Sequence, residues 1–148
     1  MNITPEWVSA IAAMIGAIGV LCAFGQLNAS KHIAQLQFED GLAKEYRELA
    51  SQIPTKALLG QALDDEEYES AFDQLFRYID LSNEQVCLRR RKRISADVWK
   101  EWSSGIKSNL VLPAFARAWQ EIKQSTTSFS ELRRLESETF ATDPARWD

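Results

Sequence analysis

The sequence predicts an all-α protein in which one N-terminal transmembrane helix continues into a small cytoplasmic bundle of about five helices. Three observations support this class: an uncharged apolar stretch over residues 7–30, apolar residues at gaps of three and four in later segments, and no long segment with strand-like alternation. The predicted domains are a short external tail over residues 1–6, the transmembrane helix over 7–30, a cytoplasmic helical domain over 31–140 and an irregular tail over 141–148.

The apolar stretch from Trp7 to Ser30 contains no Asp, Glu, Lys or Arg. As a helix it is about 36 Å long, enough to cross a bilayer core of roughly 30 Å. No basic residue precedes it, so it does not fit a cleaved secretory signal; the alternative is a buried core helix. Because Lys31, Lys44 and Arg47 follow the stretch, the positive-inside rule predicts an external N-terminus and a cytoplasmic C-terminal domain.

Small and polar residues recur along this stretch at gaps of three and four. Bulky residues stay off the face they form, so two helices in lipid can approach closely along it. A repeat every seven residues keeps such a face on one partner in a left-handed supercoil. We therefore predict homo-oligomerisation through a seam formed by Ser9, Ala12, Gly16, Gly19, Ala23, Gln26 and Ser30.

The apolar stretch leads into an amphipathic helix that we expect to end before Pro54, since the residue preceding a proline disfavours helical geometry. A short helical turn over residues 54–60 follows. The next helix begins in an acidic cluster at residues 64–67 and ends in a basic run, the order that the helix dipole favours. Its predicted apolar face comprises Phe72, Leu75, Phe76, Ile79, Val86 and Cys87.

Three more helices complete the prediction. Ser95 is the predicted N-cap of one, Pro113 begins the next, and a short last helix runs from Ser130 to about Phe140. Residues predicted to face inward are Val98, Trp99, Trp102, Ile106 and Leu110 in the first of these helices, and Phe115, Ala118, Trp119 and Ile122 in the second.

Polar residues interrupt the apolar face of the long helix. Polar groups bordering a core need partners, so we predict a salt-bridge or hydrogen-bond network linking them to Arg117 or to the first helix. A ligand pocket is the alternative interpretation. The predicted network comprises Tyr46, Arg47, Asp80, Asn83, Glu84 and Arg117.

The basic run Arg89, Arg90, Arg91, Lys92 and Arg93 is the most prominent charge feature. It has three interpretations: a solvated helix C-terminus, a contact with anionic lipid headgroups, or a site for the phosphates of a nucleotide or nucleic acid. The chain as a whole carries a net charge of −4, which gives no overall electrostatic reason to expect nucleic acid as the main partner.

No motif for catalysis is present: the sequence lacks a nucleophile elbow, a P-loop, a glycine-rich dinucleotide loop and a zinc-protease helix. One histidine and two cysteines, Cys22 and Cys87, offer no metal-ligand spacing and no disulfide framework. We therefore predict a non-enzymatic protein without a metal or a cofactor.

Four blocks of the sequence resemble an uncharacterised family of small bacterial proteins with one N-terminal membrane helix and a helical cytoplasmic domain of unknown function. The blocks are FEDGLAKEYRELASQIPTKALLG, LFRYIDLSNEQVCLRRRKRIS, VWKEWSSGIKSNL and PAFARAWQEIK, within Gln37 to Lys123. The resemblance implies a bacterial inner-membrane location and supplies no reaction. It also implies a structural or binding role for Tyr46, Arg47, Asp80, Asn83, Glu84, Arg93, Trp102, Asn109, Pro113 and Trp119.

Together these observations predict a single-pass membrane-anchored interaction and assembly module whose partners are the lipid bilayer, other copies of the chain and a protein on the cytoplasmic side. In a bacterial stress or antiviral-defence system, it would act by oligomerisation of the membrane helix. The alternative is a membrane-tethered nucleotide- or nucleic-acid-binding domain that uses the basic run at residues 89–93.

Overall fold

The computed structural model describes residues 5–147, with side chains described for Met14, Gly16 and every residue from Gly19 to Trp147. The described part is all-helical and contains no strand, which confirms the predicted class. It consists of α1 (Pro5–Ala50), α2 (Thr55–Leu58), α3 (Asp65–Arg90), α4 (Ala96–Leu110), α5 (Pro113–Ser125), α6 (Ser130–Ser137) and a 3₁₀ turn (Pro144–Arg146).

The chain divides into two compact units between Phe38 and Glu39, and α1 runs through both of them. In the first unit, every described side chain up to Ala34 is exposed. Within the described residues, no helix contains a stretch that is both long and apolar enough to cross a membrane. The predicted external tail lies mostly outside the described residues, as do the side chains of the predicted span from Trp7 to Ala13.

The second unit is built around α3, which packs against α5, α6 and the 3₁₀ turn. Helix α5 in turn contacts α4 and α2. The predicted inward residues of α5 are all buried, whereas Val98 and Trp102 of α4 are only half-buried and Phe76 of α3 is 39% exposed. Completely buried residues at the centre of this core are Leu75, Ile79, Val86, Phe115, Ala118, Leu132 and Leu135.

Local signals explain where the helices begin. The Asp64 side chain accepts a hydrogen bond from the Glu67 backbone N–H (2.8 Å), and the Glu67 carboxylate accepts one from the Asp64 N–H (3.2 Å), a reciprocal cap for α3. Ser95 caps α4 by accepting from the Val98 N–H, and Pro113 occupies the start of α5, both as predicted. Gly60 follows α2 with φ +75°, a conformation that costs glycine little.

The C-terminal tail is more ordered than the predicted irregular segment. Helix α6 ends at Ser137, before the predicted Phe140, because Thr139 and Phe140 adopt positive φ angles of 56° and 58°. The Asp143 side chain accepts from the Ala145 N–H at 3.0 Å and so caps the 3₁₀ turn. Sequence periodicity does not predict this turn, because a side chain far away in the sequence holds Asp143 in place, as described below.

Candidate functional site

A partly open cavity of about 280 Å³ lies within the second unit and is lined by the end of α1 together with α3 and α4. Its volume is close to the lower end of the range for small-molecule sites, roughly 300–1,000 Å³. Helical spacing brings the lining residues to one face of each helix. The lining comprises Ala43, Tyr46 and Arg47 of α1, Tyr78 and Gln85 of α3, and Glu101, Trp102, Gly105, Ile106 and Asn109 of α4.

Small residues help to keep this space open. Gly105 stands between Trp102 and Ile106 on α4, and a Cβ atom added to it would meet no atom within 4 Å. Ala43 is the smallest lining residue of α1. The cavity therefore exists because short side chains face it between longer aromatic ones.

Tyr78 forms a buried wall of the cavity and is 3% exposed. Its hydroxyl accepts a hydrogen bond from Asn109 Nδ2 at 2.7 Å, and its ring lies 6.0 Å from that of Tyr46. Burial is the main reason that the pKa of Tyr78 is raised to about 12. The hydroxyl is therefore protonated at neutral pH and retains a proton that it can donate.

Gln85 is the polar residue that stands out in this wall. It is 5% exposed, yet its amide has no hydrogen-bond partner in the part of the chain that the structure describes. No fully enclosed side-chain nitrogen or oxygen in that part lacks a partner, so the Gln85 amide retains access to the cavity. A side chain that is almost completely buried, with an unpartnered amide open to the cavity, is the strongest indication of a binding site here.

Two opposite charges lie at the exposed edge of the cavity. Arg47 and Glu101 both line it and are both exposed. Within the described residues neither forms an ion pair. The edge thus offers guanidinium donors for an acidic group and a carboxylate acceptor for hydroxyl groups.

The structure brings together only part of the predicted polar network. Tyr46 and Arg47 line the cavity, whereas the side-chain oxygen of Asn83 accepts from the Leu132 backbone N–H at 3.1 Å. Arg117 does not reach these residues. It pairs instead with Asp65 at 2.9 Å and lies over the ring of Tyr68, 3.7 Å from its centroid.

The remaining two members of that predicted network, Asp80 and Glu84, are exposed. Among the described residues they form no hydrogen bond or ion pair, so the expected salt bridge to Arg117 is absent. Both carboxylates face solvent, because their positions on α3 point away from the core rather than bordering it. Of the predicted network, only Tyr46 and Arg47 lie together at the cavity.

The basic run at the end of α3 is divided by the fold. Arg89 is buried: Nε donates to Asp143 Oδ1 at 2.8 Å, Nη2 pairs with Asp143 Oδ2, and Nη1 donates to the Ile94 carbonyl at 2.8 Å. Arg90 pairs with Glu131 at 3.1 Å. The other three residues of the run, residues 91–93, are exposed. At least two of the five cations therefore have partners within the fold, which weakens the run as a phosphate-binding surface.

The predicted seam is only partly within the described side chains. Gly16, Gly19, Ala23, Gln26 and Ser30 are exposed, and Ser9 and Ala12 lie outside the described side chains. A Cβ atom added to either glycine would meet nothing within 4 Å. Among the described residues, nothing in the first unit therefore covers this face of α1.

The sequence does not indicate the cavity residues Ala43, Tyr78, Gln85, Glu101 and Gly105, and it predicts Ile106 only as a core residue. For two of them the helical spacing is visible in the sequence, but the burial is not. Beside the predicted apolar face of α3 runs a second buried stripe at gaps of four, three and four: Tyr78, Ser82, Gln85 and Arg89.

The described residues contain no group of three or more His, Cys, Asp or Glu side chains that could hold a metal ion. Of the tryptophans at positions 99, 102 and 119, Trp99 and Trp119 are buried in the core, whereas Trp102 lines the cavity.

No family model, curated protein or solved structure matches the chain.

Proposed function

We propose that this protein is a single-pass membrane protein that associates with copies of itself through the N-terminal part of α1, while the unit from Glu39 onward acts as a cytoplasmic interaction module. The observation that carries this proposal is a set of large apolar side chains left uncovered on α1. They are Met14, Val20, Leu21, Phe24 and Leu27, with exposed fractions of 58–71%.

Exposing these apolar side chains to water is unfavourable. A water-exposed apolar surface of this extent on a folded protein marks an interaction or membrane surface. No Asp, Glu, Lys or Arg lies between Trp7 and Ser30, so this surface could not form ion pairs with a protein partner. An uncharged surface that surrounds the helix suits hydrocarbon better than the one-sided groove of a protein.

Self-association is the second part of the proposal. Lipid gives apolar side chains no reason to associate, so membrane helices pair where small residues allow close backbone contact. The uncovered Gly16 and Gly19 lie on such a face. Gln26 adds an amide that can form a hydrogen bond to a neighbouring helix, which stabilises the association by about 1 kcal/mol. The cytoplasmic unit would then report a bound partner by changing this association.

The membrane part is tested by fractionating cells that express the full chain. We expect the protein in the membrane fraction, resistant to an alkaline wash and released by detergent. Leu21→Lys places a charge in the middle of the span and should move much of the protein out of this fraction, since a central lysine costs about 3 kcal/mol. Leu59→Lys, at an exposed leucine of the second unit, is the control and should leave the distribution unchanged.

The seam is tested by an assay of self-association within a membrane. Gly16→Leu and Gly19→Leu should reduce association, because the added side chains hold the backbones apart. Gly25→Leu is the matched control: this glycine is also uncovered, but it lies on the opposite face of α1. Equal effects at all three glycines would refute association through the seam, but they would not contradict the proposal that α1 enters the membrane.

A further inference from the structure

The cavity between α1, α3 and α4 combines features that the proposed assembly function does not use. It lies wholly within the second unit, and its residues are separate from the apolar surface of α1. A site for a soluble small molecule can therefore be argued independently of whether α1 enters a membrane.

The first step concerns the buried amide. Gln85 presents both an N–H donor and a carbonyl acceptor to the cavity and satisfies neither within the described residues. Asn109 uses Nδ2 on Tyr78 and keeps its carbonyl oxygen, while Tyr78 keeps a hydroxyl proton. A molecule that fits this wall carries neighbouring donors and acceptors on one edge and no charge there, since the inner wall has none.

The second step concerns shape. Tyr46, Tyr78 and Trp102 provide three aromatic surfaces around the space, with Ile106 and Ala43 filling between them. Aromatic side chains hold planar rings by stacking and by edge contacts. A flat heteroaromatic ring with polar atoms along its edge, such as a nucleobase, matches both this surface and the amide of Gln85.

The third step concerns the exposed edge. Arg47 can donate two parallel hydrogen bonds to one acidic group. Glu101 can accept hydrogen bonds from sugar hydroxyls, as acidic residues do in nucleotide sites, and its charge disfavours a ligand with several phosphates. The cavity of about 280 Å³ also has room for one small molecule only.

We propose that this cavity binds a nucleoside monophosphate, with its base against the aromatic walls and Gln85, its sugar near Glu101 and its phosphate at Arg47. The base is held by neutral hydrogen bonds and the phosphate by one guanidinium. The nucleoside without its phosphate should therefore bind more weakly, and inorganic phosphate alone should not bind detectably.

The test is equilibrium binding to the full chain in detergent, with adenosine, guanosine, cytidine and uridine monophosphates as probes and with each nucleoside and inorganic phosphate in parallel. We expect at least one monophosphate to bind with Kd below about 1 mM and Gln85→Leu to weaken it about tenfold or more. Arg47→Ala should weaken the monophosphate about tenfold and leave nucleoside affinity unchanged.

Three controls separate the site from general damage. Gln74→Leu and Arg77→Ala alter the same residue types on α3 outside the cavity and should leave affinity unchanged. Gly105→Leu fills the cavity while leaving every polar group in place, and should abolish binding in a protein that still unfolds cooperatively.

Absence of binding by all four monophosphates at saturating concentrations would overturn the proposal and leave a water-filled cavity. Binding that survives both Gln85→Leu and Gly105→Leu would overturn it equally, because the ligand would then lie elsewhere. Binding of inorganic phosphate with the same affinity as the monophosphates would show an anion site at Arg47 and refute recognition of the base.

Discussion

Arg89 and Gln85 lie about one turn apart on the same stripe of α3 and are both almost completely buried, with exposed fractions of 9% and 5%. Arg89 has three hydrogen bonds, to Asp143 and to the Ile94 carbonyl, whereas Gln85 has none among the described residues. Burial of a polar side chain thus has two outcomes on one helix. Arg89 joins distant parts of the chain because they supply its partners. Gln85 faces a cavity instead, so its amide stays available for a ligand.

The largest test of this contrast is Arg89→Leu. The substitution leaves the Asp143 carboxylate and the Ile94 carbonyl without their buried partner, and should lower the free energy of unfolding by about 3 kcal/mol. Urea unfolding followed by tryptophan fluorescence measures the change. Arg77→Leu, at an exposed arginine of the same helix, is the control and should change stability by less than about 0.5 kcal/mol. Equal effects at both arginines would contradict the assigned role of Arg89.

The next test uses pH to interrupt the same pair. Hydrogen bonding from Arg89 is the main cause that holds the pKa of Asp143 below its ordinary value of 3.8. Because the pKa is lower in the folded state, the stabilisation is fully present above about pH 4 and is lost as pH falls through the folded pKa. Asp143→Asn should therefore lower stability by about 2 kcal/mol at pH 7, with the deficit shrinking below about pH 4.

A series of urea unfolding curves from neutral pH down to about pH 2.5 measures that difference for the wild type and Asp143→Asn. Asp73→Asn, at an exposed aspartate of α3, is the control and should show little deficit at neutral pH. A deficit of constant size across the series would mean that the charge of Asp143 contributes nothing to its contact with Arg89.

Local and distant interactions explain which features are predictable. Helix starts such as Ser95 and Pro113 depend on residues within one turn, so the sequence predicts them well. The Arg89–Asp143 pair joins residues 54 positions apart, and the basic run therefore resembles one solvated surface when only the sequence is considered. Only the folded arrangement shows that its first two members are used internally.

The cavity is predictable in part. The resemblance points to Tyr46, Arg47, Trp102 and Asn109, and the structure places all four around one space. It does not point to Gln85, because a glutamine on a mostly polar helix gives no sign of burial until α1 and α4 are packed against it. The lack of a partner for Gln85 is a property of three helices together, which no single stretch of sequence contains.

The third test concerns Gln85, the buried polar residue of α3 that has no described partner. Gln85→Leu removes an amide that has no described partner and replaces it with an apolar side chain, so the unliganded protein should gain about 1 kcal/mol of stability. This is opposite in sign to Arg89→Leu, although both remove a buried polar group. Thermal unfolding followed by circular dichroism detects the gain. A loss of stability comparable with that of Arg89→Leu would show that Gln85 has a structural partner after all.

The smallest expected effect is at Arg91, two residues beyond Arg89 in the same basic run. Its side chain is exposed and makes no hydrogen bond or ion pair among the described residues, so Arg91→Ala should change the free energy of unfolding by less than about 0.5 kcal/mol. The measurement is the same urea series used for Arg89→Leu. An effect above about 1 kcal/mol would contradict the division of the run into structural and solvated residues.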